Sequence, residues 1–290
     1  MPKISSIFID LLDSLPIAPR DFSWKMRWRM KHDLNPIFIE LLDKYRVKQH
    51  AQKLGIRTAE TFFVTDKPET IPFDSLPETY FIKANHGCRW NILYEDNRFY
   101  LYGDGKNFSD RDDISKYKLT RDDAIRHCKS WLATRHSIRQ WAYQQIQPLI
   151  MAEEVLTQRD GGELKDYKFY AFYGKVKLIK IFSQTIRRNH EEILLNANWQ
   201  PIKLSNRRDK NPVLMPSKPD SFQEMLDIVE KLGKSLDFVR VDLYDTSRGV
   251  TLGEMTIYPL AGRFNSPTPD PKFNKWLGDQ WILPDRSSKL

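Results

Sequence analysis

The sequence predicts an α+β protein, and three observations carry that reading. Val239, Val241 and Leu243 alternate with Arg240, Asp242 and Tyr244, the period of a half-buried strand. Asp245, Thr246, Ser247 and Gly249 supply turn chemistry, and Val250 to Thr256 makes the return strand of a hairpin. A second hairpin runs from Tyr167 to Phe182 and turns at Gly174, with Asp166 and Lys168 at its start. Well-signed helices stand apart from these strands, over residues 43–54 and 222–232.

With 290 residues the chain is long enough to bury a real core, in one large domain or two smaller ones. It is 40% hydrophobic and 29% charged, a globular composition without repeats. The net charge of +8 favours an acidic partner: a nucleotide, an acidic glycan, nucleic acid or an anionic membrane. Two cysteines, Cys88 and Cys128, form no disulfide framework and no CxxC motif. The first ten residues meet a charge too soon for a signal peptide, and no apolar run approaches the ~20 residues that span a bilayer. A reducing cytoplasm is the expected home.

Residues 1–43 read as helical and amphipathic, with a basic-aromatic patch from Trp24 to Lys31. Such a patch lies on a membrane or on RNA, or else belongs to a surface helix with its tryptophans packed inward and its cations wet. Asp43 caps a helix running to Leu54 and closed by Gly55; Val47, Ala51 and Leu54 form its buried stripe. Lys44 and Lys48 stand one turn apart on another side, either solvated or facing an anion.

Glu60 to Val64 reads as a strand, Asp66 to Glu78 as a Pro-broken loop, and Thr79 to Ala84 as the next strand. It leads through Asn85-His-Gly-Cys-Arg-Trp90 into the strand Asn91 to Tyr94. A glycine turn with Lys83 at its lip is either an ordinary hairpin or a cradle of backbone N–H groups and an ammonium for phosphate. Residues 121–142 read as one helix carrying Ile125, Cys128, Trp131, Leu132 and Trp141. Pro148 to Leu156 is an apolar run interrupted by Glu153 and Glu154, carboxylates that call for partners. Ser221 and Glu224 spell a capping box for the helix Phe222 to Leu232, with Met225 and Val229 inward and Gly233 as its stop.

If the turn of the first hairpin is centred near Arg248, Asp242 faces Glu254, with Thr256 on the same face as Glu254. Opposed side chains lie roughly 5 Å apart, where like charges repel. The acids are therefore solvated, paired to Arg240, or hold a hard divalent cation such as Mg²⁺ together with phosphate oxygens.

Taken in order, these parts resemble the ATP-grasp superfamily, in its TupA-like branch of teichuronopeptide and surface-polysaccharide biosynthesis. The matching stretches are Leu42-Asp-Lys-Tyr-Arg-Val-Lys48, Phe81-Ile-Lys-Ala-Asn-His-Gly87, Ile150-Met-Ala-Glu-Glu-Val-Leu156 and Asp166-Tyr-Lys-Phe169. Val239-Arg-Val-Asp-Leu-Tyr244, Gly253-Glu-Met-Thr256 and Tyr258-Pro-Leu-Ala-Gly262 complete them, so the resemblance spans residues 42–262.

The resemblance implies an ATP-grasp fold, two α+β lobes clasping ATP, behind a shortened helical N-terminal segment. The segments would be residues 1–43, a first lobe over 44–152 and a second over 153–290. It implies ATP and Mg²⁺ as cofactors. Lys44 and Lys83 match lysines that hold ATP phosphates, as point charges suited to that work. Glu153 matches the hinge acid that meets adenine, with Val155 and Leu156 offering backbone hydrogen bonds. Asp166 matches the acid on the ribose, and Lys168 falls beside it. Asp242 and Glu254 match magnesium carboxylates, and Thr256 stands where relatives carry Asn. Arg240 matches an arginine that steadies the reacting carboxylate.

Two departures are visible. Relatives tend to read His-Gly-Ser-Gly where this chain has His86-Gly-Cys-Arg89. Arg89 either replaces backbone contacts at the γ-phosphate or leaves the loop less closed. Many ATP-grasp enzymes also have a full α/β domain before the first lysine, and here 43 residues precede it, so some of the substrate recognition is expected from the C-terminal lobe or from a partner.

The implied activity is amide formation by a carboxylate–amine ligase. An amino acid or amino sugar would be joined to a uronic acid or similar carboxylate of a capsule or O-antigen precursor, at the cytoplasmic side and in peripheral contact with the membrane or a biosynthetic complex. Nucleic acid is not the expected partner. Arg187, Arg188, Gly262 and Arg263 are the expected substrate anchors. Two other classes stand beside this one: a glycosyltransferase of the same pathway, and a non-catalytic polyanion-binding protein on a decayed ATP-grasp fold.

Overall fold

A computed structural model describes residues 20–104, 111–182, 193–202, 215–262 and 270–284. Two antiparallel sheets organise them. The first contains β1 (Thr61–Thr65), β2 (Tyr80–Ala84), β3 (Trp90–Glu95), β4 (Arg98–Asp104), β5 (Lys118–Leu119) and β6 (Ile150–Glu153), in the order β1-β6-β2-β3-β4-β5. The second contains β7 (Asp166–Phe172), β8 (Lys175–Phe182), β9 (Ile193–Leu195), β10 (Val239–Thr246) and β11 (Gly249–Thr256), in the order β11-β10-β7-β8-β9. The helices are α1 (Phe22–His32), α2 (Ile37–Leu42), α3 (Arg46–Lys53), α4 (Arg121–Leu132), α5 (Trp141–Gln144), α6 (Phe222–Gly233) and α7 (Pro271–Asp279).

Each sheet has its own core. Tyr80, Ile82, Ile92 and Ala152 of the first pack with Ala124, Cys128 and Trp131 of α4, so the inward face of that helix is core. Phe169, Ile179, Val241 and Leu243 of the second pack with Met225 and Val229 of α6. The same core takes in Phe22, Met26, Phe38, Val47 and Ala51, so α1 to α3 rest on the second sheet.

Both links between the sheets are pinned to the β10–β11 hairpin. Thr58 bridges to Leu252 and Gln158 to Thr246, with Leu252 N donating to Arg57 O at 2.8 Å and Arg159 N to Asp245 O at 2.9 Å.

Several local readings hold. Asp43 Oδ1 accepts from the N–H groups of Tyr45 and Arg46 and so caps the chain entering α3. Gly55, at φ +70°, ends α3, with Ile56 N donating back to Ala51 O. The β7–β8 turn places Tyr173 and Gly174 at φ +49° and +77°, the backbone of a two-residue hairpin turn whose twist matches its strands.

Others are corrected. In α1 the inward face is Phe22, Met26 and Arg29, while Trp24 and Trp28 are only half-buried, so one cation and neither tryptophan lies fully inside. Arg29 is buried because its guanidinium bonds Asp237 and the Phe238 carbonyl and stacks 4.5 Å from the Trp281 ring. The helix expected over 121–142 is two, α4 and α5. Thr134 Oγ1 turns back to Ser130 O, and His86 reaches the carbonyls of Trp131 and Thr134, so side chains satisfy the end of α4.

No capping box forms at Ser221. Its backbone sits at ψ 4°, outside cap geometry, its Oγ is buried without a bond, and Phe222 N turns back to Pro219 O instead. The capping box is at Thr120 and Asp123, ahead of α4. Gly233 belongs to α6 rather than stopping it. A Cβ there would lie 3.2 Å from Gly174 Cα, so glycine answers a close approach to the β7–β8 turn.

Candidate active site

The site begins with the pairing register of the second sheet. On β10, Asp242 stands opposite Glu254 of β11 and Lys168 of β7, and Arg240 stands opposite Thr256. The turn is Ser247–Arg248, closed by the Thr246–Gly249 pair. An unbroken register from it would set Asp242 against Gly253. An irregularity at Gly253 absorbs one residue and brings Glu254 into line. Only glycine fits there, since a Cβ would lie 2.4 Å from the Tyr244 ring.

Cations sit among these acids. The Arg240 guanidinium donates to both oxygens of Asp242 at 2.7 Å and to Glu254 Oε1 at 2.5 Å. Lys168 Nζ donates to Asp242 at 2.5 Å and also to Asp166. Thr256 Oγ1 donates to Glu254 Oε1 at 3.2 Å, and Lys44 Nζ lies 3.7 Å from Glu254 Oε2.

The two opposed acids are not equivalent. Burial raises the Asp242 carboxyl against the pull of Arg240 and Lys168. For Glu254 burial pushes the same way, but Lys44, Arg240 and Lys168 outweigh it and hold the carboxyl well below the usual range. Burial also works against the Lys168 charge, and Asp166 with Asp242 reverses it, raising the ammonium.

The first sheet contributes a second ionic group. Glu153, the last residue of β6, is buried, and its two oxygens are claimed separately. Lys83 Nζ of β2 donates to Oε1 at 2.5 Å and Lys48 Nζ of α3 to Oε2. Burial alone would raise this carboxyl; Lys83 and Lys48 together hold it at about 2. Lys48 also donates to Ala59 O and Thr61 Oγ1, both at 3.0 Å, so all three ammonium hydrogens have acceptors.

The glycine loop lies between the groups. Lys44 Nζ donates to Gly87 O at 2.7 Å, and Lys44 N to Asn85 O at 3.0 Å. Asn85 Nδ2 in turn donates to Asp43, which ties the loop to the start of α3. A Cβ on Gly87 would lie 1.9 Å from the Trp90 ring. Arg89 is exposed at φ +61°, so it adopts the left-handed backbone that glycine takes freely.

The structure therefore brings Lys44, Lys83, Glu153, Asp166, Lys168, Arg240, Asp242, Glu254 and Thr256 into two linked ionic groups. Val155 and Leu156 are half-buried on the irregular link after β6. Gly262 is buried against α1, where a Cβ would meet Arg27 Cγ at 3.0 Å. Arg187, Arg188 and Arg263 lie outside the described residues.

Of the two readings open for Lys48, solvated or facing an anion, the structure shows the second, with Glu153 as the anion; sequence reasoning gave no role to His136 or Tyr143. His136 packs 4.8 Å from the Tyr143 ring and 5.9 Å from Trp90; burial, with Lys44 and His86, lowers it to about 4. Tyr143 is raised by burial and feels Glu254. The mixed composition of residues 133–140 carried no signal of their place.

A sequence model of the family described as TupA-like ATPgrasp matches residues 24–282. The chain belongs to the TupA-like ATP-grasp family. Comparison with curated proteins returns no match. Among solved structures, the chain is similar to D-alanine–D-alanine ligase from Helicobacter pylori, at 15% identity and TM-score 0.43, covering 84% of this chain and 61% of that one. It is similar to ATP-grasp ligase PsnB, solved with a precursor variant, Mg and ADP, at 13% identity and TM-score 0.40, covering 89% and 65%. It is also similar to a RiPP-associated ATP-grasp ligase of Chryseobacterium gregarium, solved with ADP and leader and core peptides, at 11% identity and TM-score 0.41, covering 98% and 70%. The chain thus spans less than two thirds of the length of the first two.

The residues present fit the groups such a family handles. Asp242 and Glu254 are hard oxygen donors on one face, with the Thr256 hydroxyl beside them. No cluster of three or more His, Cys, Asp or Glu stands ready for a metal among the described residues. That donor set suits Mg²⁺, which takes one or two carboxylates and completes its shell with water and phosphate oxygens. Asp166 Oδ1 is buried without a partner, an acceptor suited to a sugar hydroxyl.

Proposed function

We propose that the protein is an ATP- and Mg²⁺-dependent carboxylate–amine ligase. The observation that supports this most directly is the Asp242–Glu254 pair, laced by Arg240 and Lys168 and joined through Lys44 to the glycine loop. Phosphoryl transfer needs positioning and charge neutralisation rather than a covalent nucleophile, and these are positioned charges.

On this reading a substrate carboxylate oxygen attacks the γ-phosphorus of ATP, the bond to the bridging oxygen breaks, and ADP leaves. The amine nitrogen then attacks the acylphosphate carbonyl, phosphate departs with its electron pair, the nitrogen sheds a proton, and an amide results. Lys44 and Lys83 hold phosphates, with Arg89 at the loop tip. Glu153 meets the adenine beside the backbone of Val155 and Leu156, and Asp166 accepts from the ribose. Arg240 steadies charge on the reacting carboxylate, and Lys168 orients Asp166 and Asp242. Asp242, Glu254 and Thr256 would hold Mg²⁺, which neutralises phosphate charge when bound.

The lobes on this reading are residues 44–152 and 153–290. The carboxylate belongs to an acidic sugar of a surface polysaccharide such as a capsule or O-antigen, and the amine to an amino acid or amino sugar. The +8 charge supports an acidic substrate, and Arg187, Arg188 and Arg263 are its anchors, with Gly262 shaping the loop between. No helix among the described residues is long and apolar enough to cross a membrane; membrane contact, where it occurs, is peripheral, at the cytoplasmic face.

Calorimetry with ATP and Mg²⁺ tests the reading. Wild type binds, and the double variant Asp242→Asn with Glu254→Gln loses magnesium-dependent binding. Ligand at ~100 times its Kd also stabilises the wild type by about 2.7 kcal/mol on melting. Wild type that binds no nucleotide, or that binds a sugar nucleotide instead, removes the ligase.

A further inference from the structure

Glu153 is served by two lysines that are not alike. Lys48 is buried, its side chain 8% exposed, and its ammonium is fully occupied by Ala59 O, Thr61 Oγ1 and Glu153 Oε2. Lys83 is 25% exposed; it bonds Glu153 Oε1 and lies 4.7 Å from the Phe81 ring. One cation is built into the scaffold and the other can change partners.

Lys48 also spans the molecule. Val47 and Ala51 anchor its helix in the second core, while its ammonium reaches the last residue of β6 and a threonine of β1 in the first sheet.

We propose that Lys48 is a positioning residue for nucleotide-base selection, an inference that rests on the ATP-binding reading above. When Lys83 moves to a phosphate, Glu153 Oε1 is vacated in a buried site. A carboxylate losing its only cation there would be costly to keep ionised. Lys48 stays on Oε2, so Glu153 remains charged and fixed, with Oε1 open to accept an N–H. The exocyclic amine of adenine is such a donor. The carbonyl oxygen that guanine carries at the equivalent ring position is an acceptor and is repelled. Lys48 thereby couples phosphate capture by Lys83 to recognition of the base, without touching either.

The test compares binding of ATP, GTP and inorganic tripolyphosphate, each with Mg²⁺, to wild type and Lys48→Met. Tripolyphosphate meets the phosphate lysines and carries no base. The variant should bind ATP about 10- to 100-fold more weakly, the range for one lost contact to a charged group, and tripolyphosphate as wild type does. Its preference for ATP over GTP should shrink, and Lys48→Arg should restore part of it. Equal losses for ATP and tripolyphosphate would mean a general structural role, and unchanged ATP affinity would overturn the inference.

Should Lys48→Met fail to fold, Lys48→Gln, which keeps hydrogen-bond donors for the same acceptors but no charge, takes its place. It should retain tripolyphosphate and lose base preference, and retained preference for ATP would overturn the inference. Wild type that binds no ATP defeats the ligase reading instead, which is a separate outcome.

Discussion

The two ionic groups solve one problem in different ways. Glu153 is a single carboxylate between two lysines, Lys48 and Lys83, and is held at about 2. On the second sheet, Asp166, Asp242 and Glu254 share Lys168, Arg240 and Lys44, and burial pushes Asp242 up while Glu254 is pulled down. The first arrangement has cation to spare, and one lysine can leave without stranding the acid. The second is balanced, so displacing any member requires a replacement charge. That is the arrangement expected where a divalent cation and phosphates exchange with protein groups.

The largest effect should come from breaking the balanced group. Arg240→Met leaves buried Asp242 without its two-pronged partner, and urea denaturation should show a loss of about 3–5 kcal/mol, the cost of breaking a buried pair from one side. A loss of less than ~1 kcal/mol would place the group among exposed pairs and erase the contrast.

Next comes acid titration of the cation-rich group. Glu153 ionises at about 2 when folded and at 4.5 ordinarily, so its stabilisation is present above about 4.5 and is lost as pH falls through 2. The depressed value corresponds to about 3 kcal/mol. Glu153→Gln should flatten the fall in stability between those pH values, and a variant whose acid limb parallels wild type would sink the assignment. Asp242 acts with the opposite sign: its raised carboxyl weakens the fold as pH climbs through its titration.

The smallest effect belongs to the next residue along. Glu154 pairs with Arg248 at the surface, 2.9 Å apart. Arg248→Ala should leave the melting midpoint indistinguishable from wild type, because an exposed pair is screened by water and salt. A clear drop would show that charge at the link between the sheets matters as much as charge inside them.

The second-sheet site was legible because it is local. Asp242 and Glu254 lie twelve residues apart, and alternation plus turn chemistry sets them face to face. Even so, a turn at Ser247–Arg248 alone pairs Asp242 with Gly253, and the irregularity at Gly253 supplies the missing step. The Glu153 site was half legible. An apolar run carrying a carboxylate demands a partner, and Lys48 reads as solvated or facing an anion, but the 105 residues between them hide that each is the other's partner. Arg29 hid for the same reason: its partner Asp237 is 208 residues distant, and nothing in the α1 pattern marks a cation as the inward residue. Ser221 misled because the letters of a capping box do not set the backbone angle that a cap requires.

Asp237, which Arg29 and Trp281 both hold, sits two residues before β10, the strand that carries Arg240 and Asp242. Trp281 donates from 44 residues downstream, and its ring packs on Phe22 and Phe238. During synthesis on the ribosome, α1 emerges long before the tryptophan that completes its seat. Closing so long a loop carries an entropic cost that local contacts do not offset, so α1 should dock late. α1 and Trp281 then arrive together, and the strand that carries Arg240 and Asp242 becomes rigid at the close of folding rather than at its start.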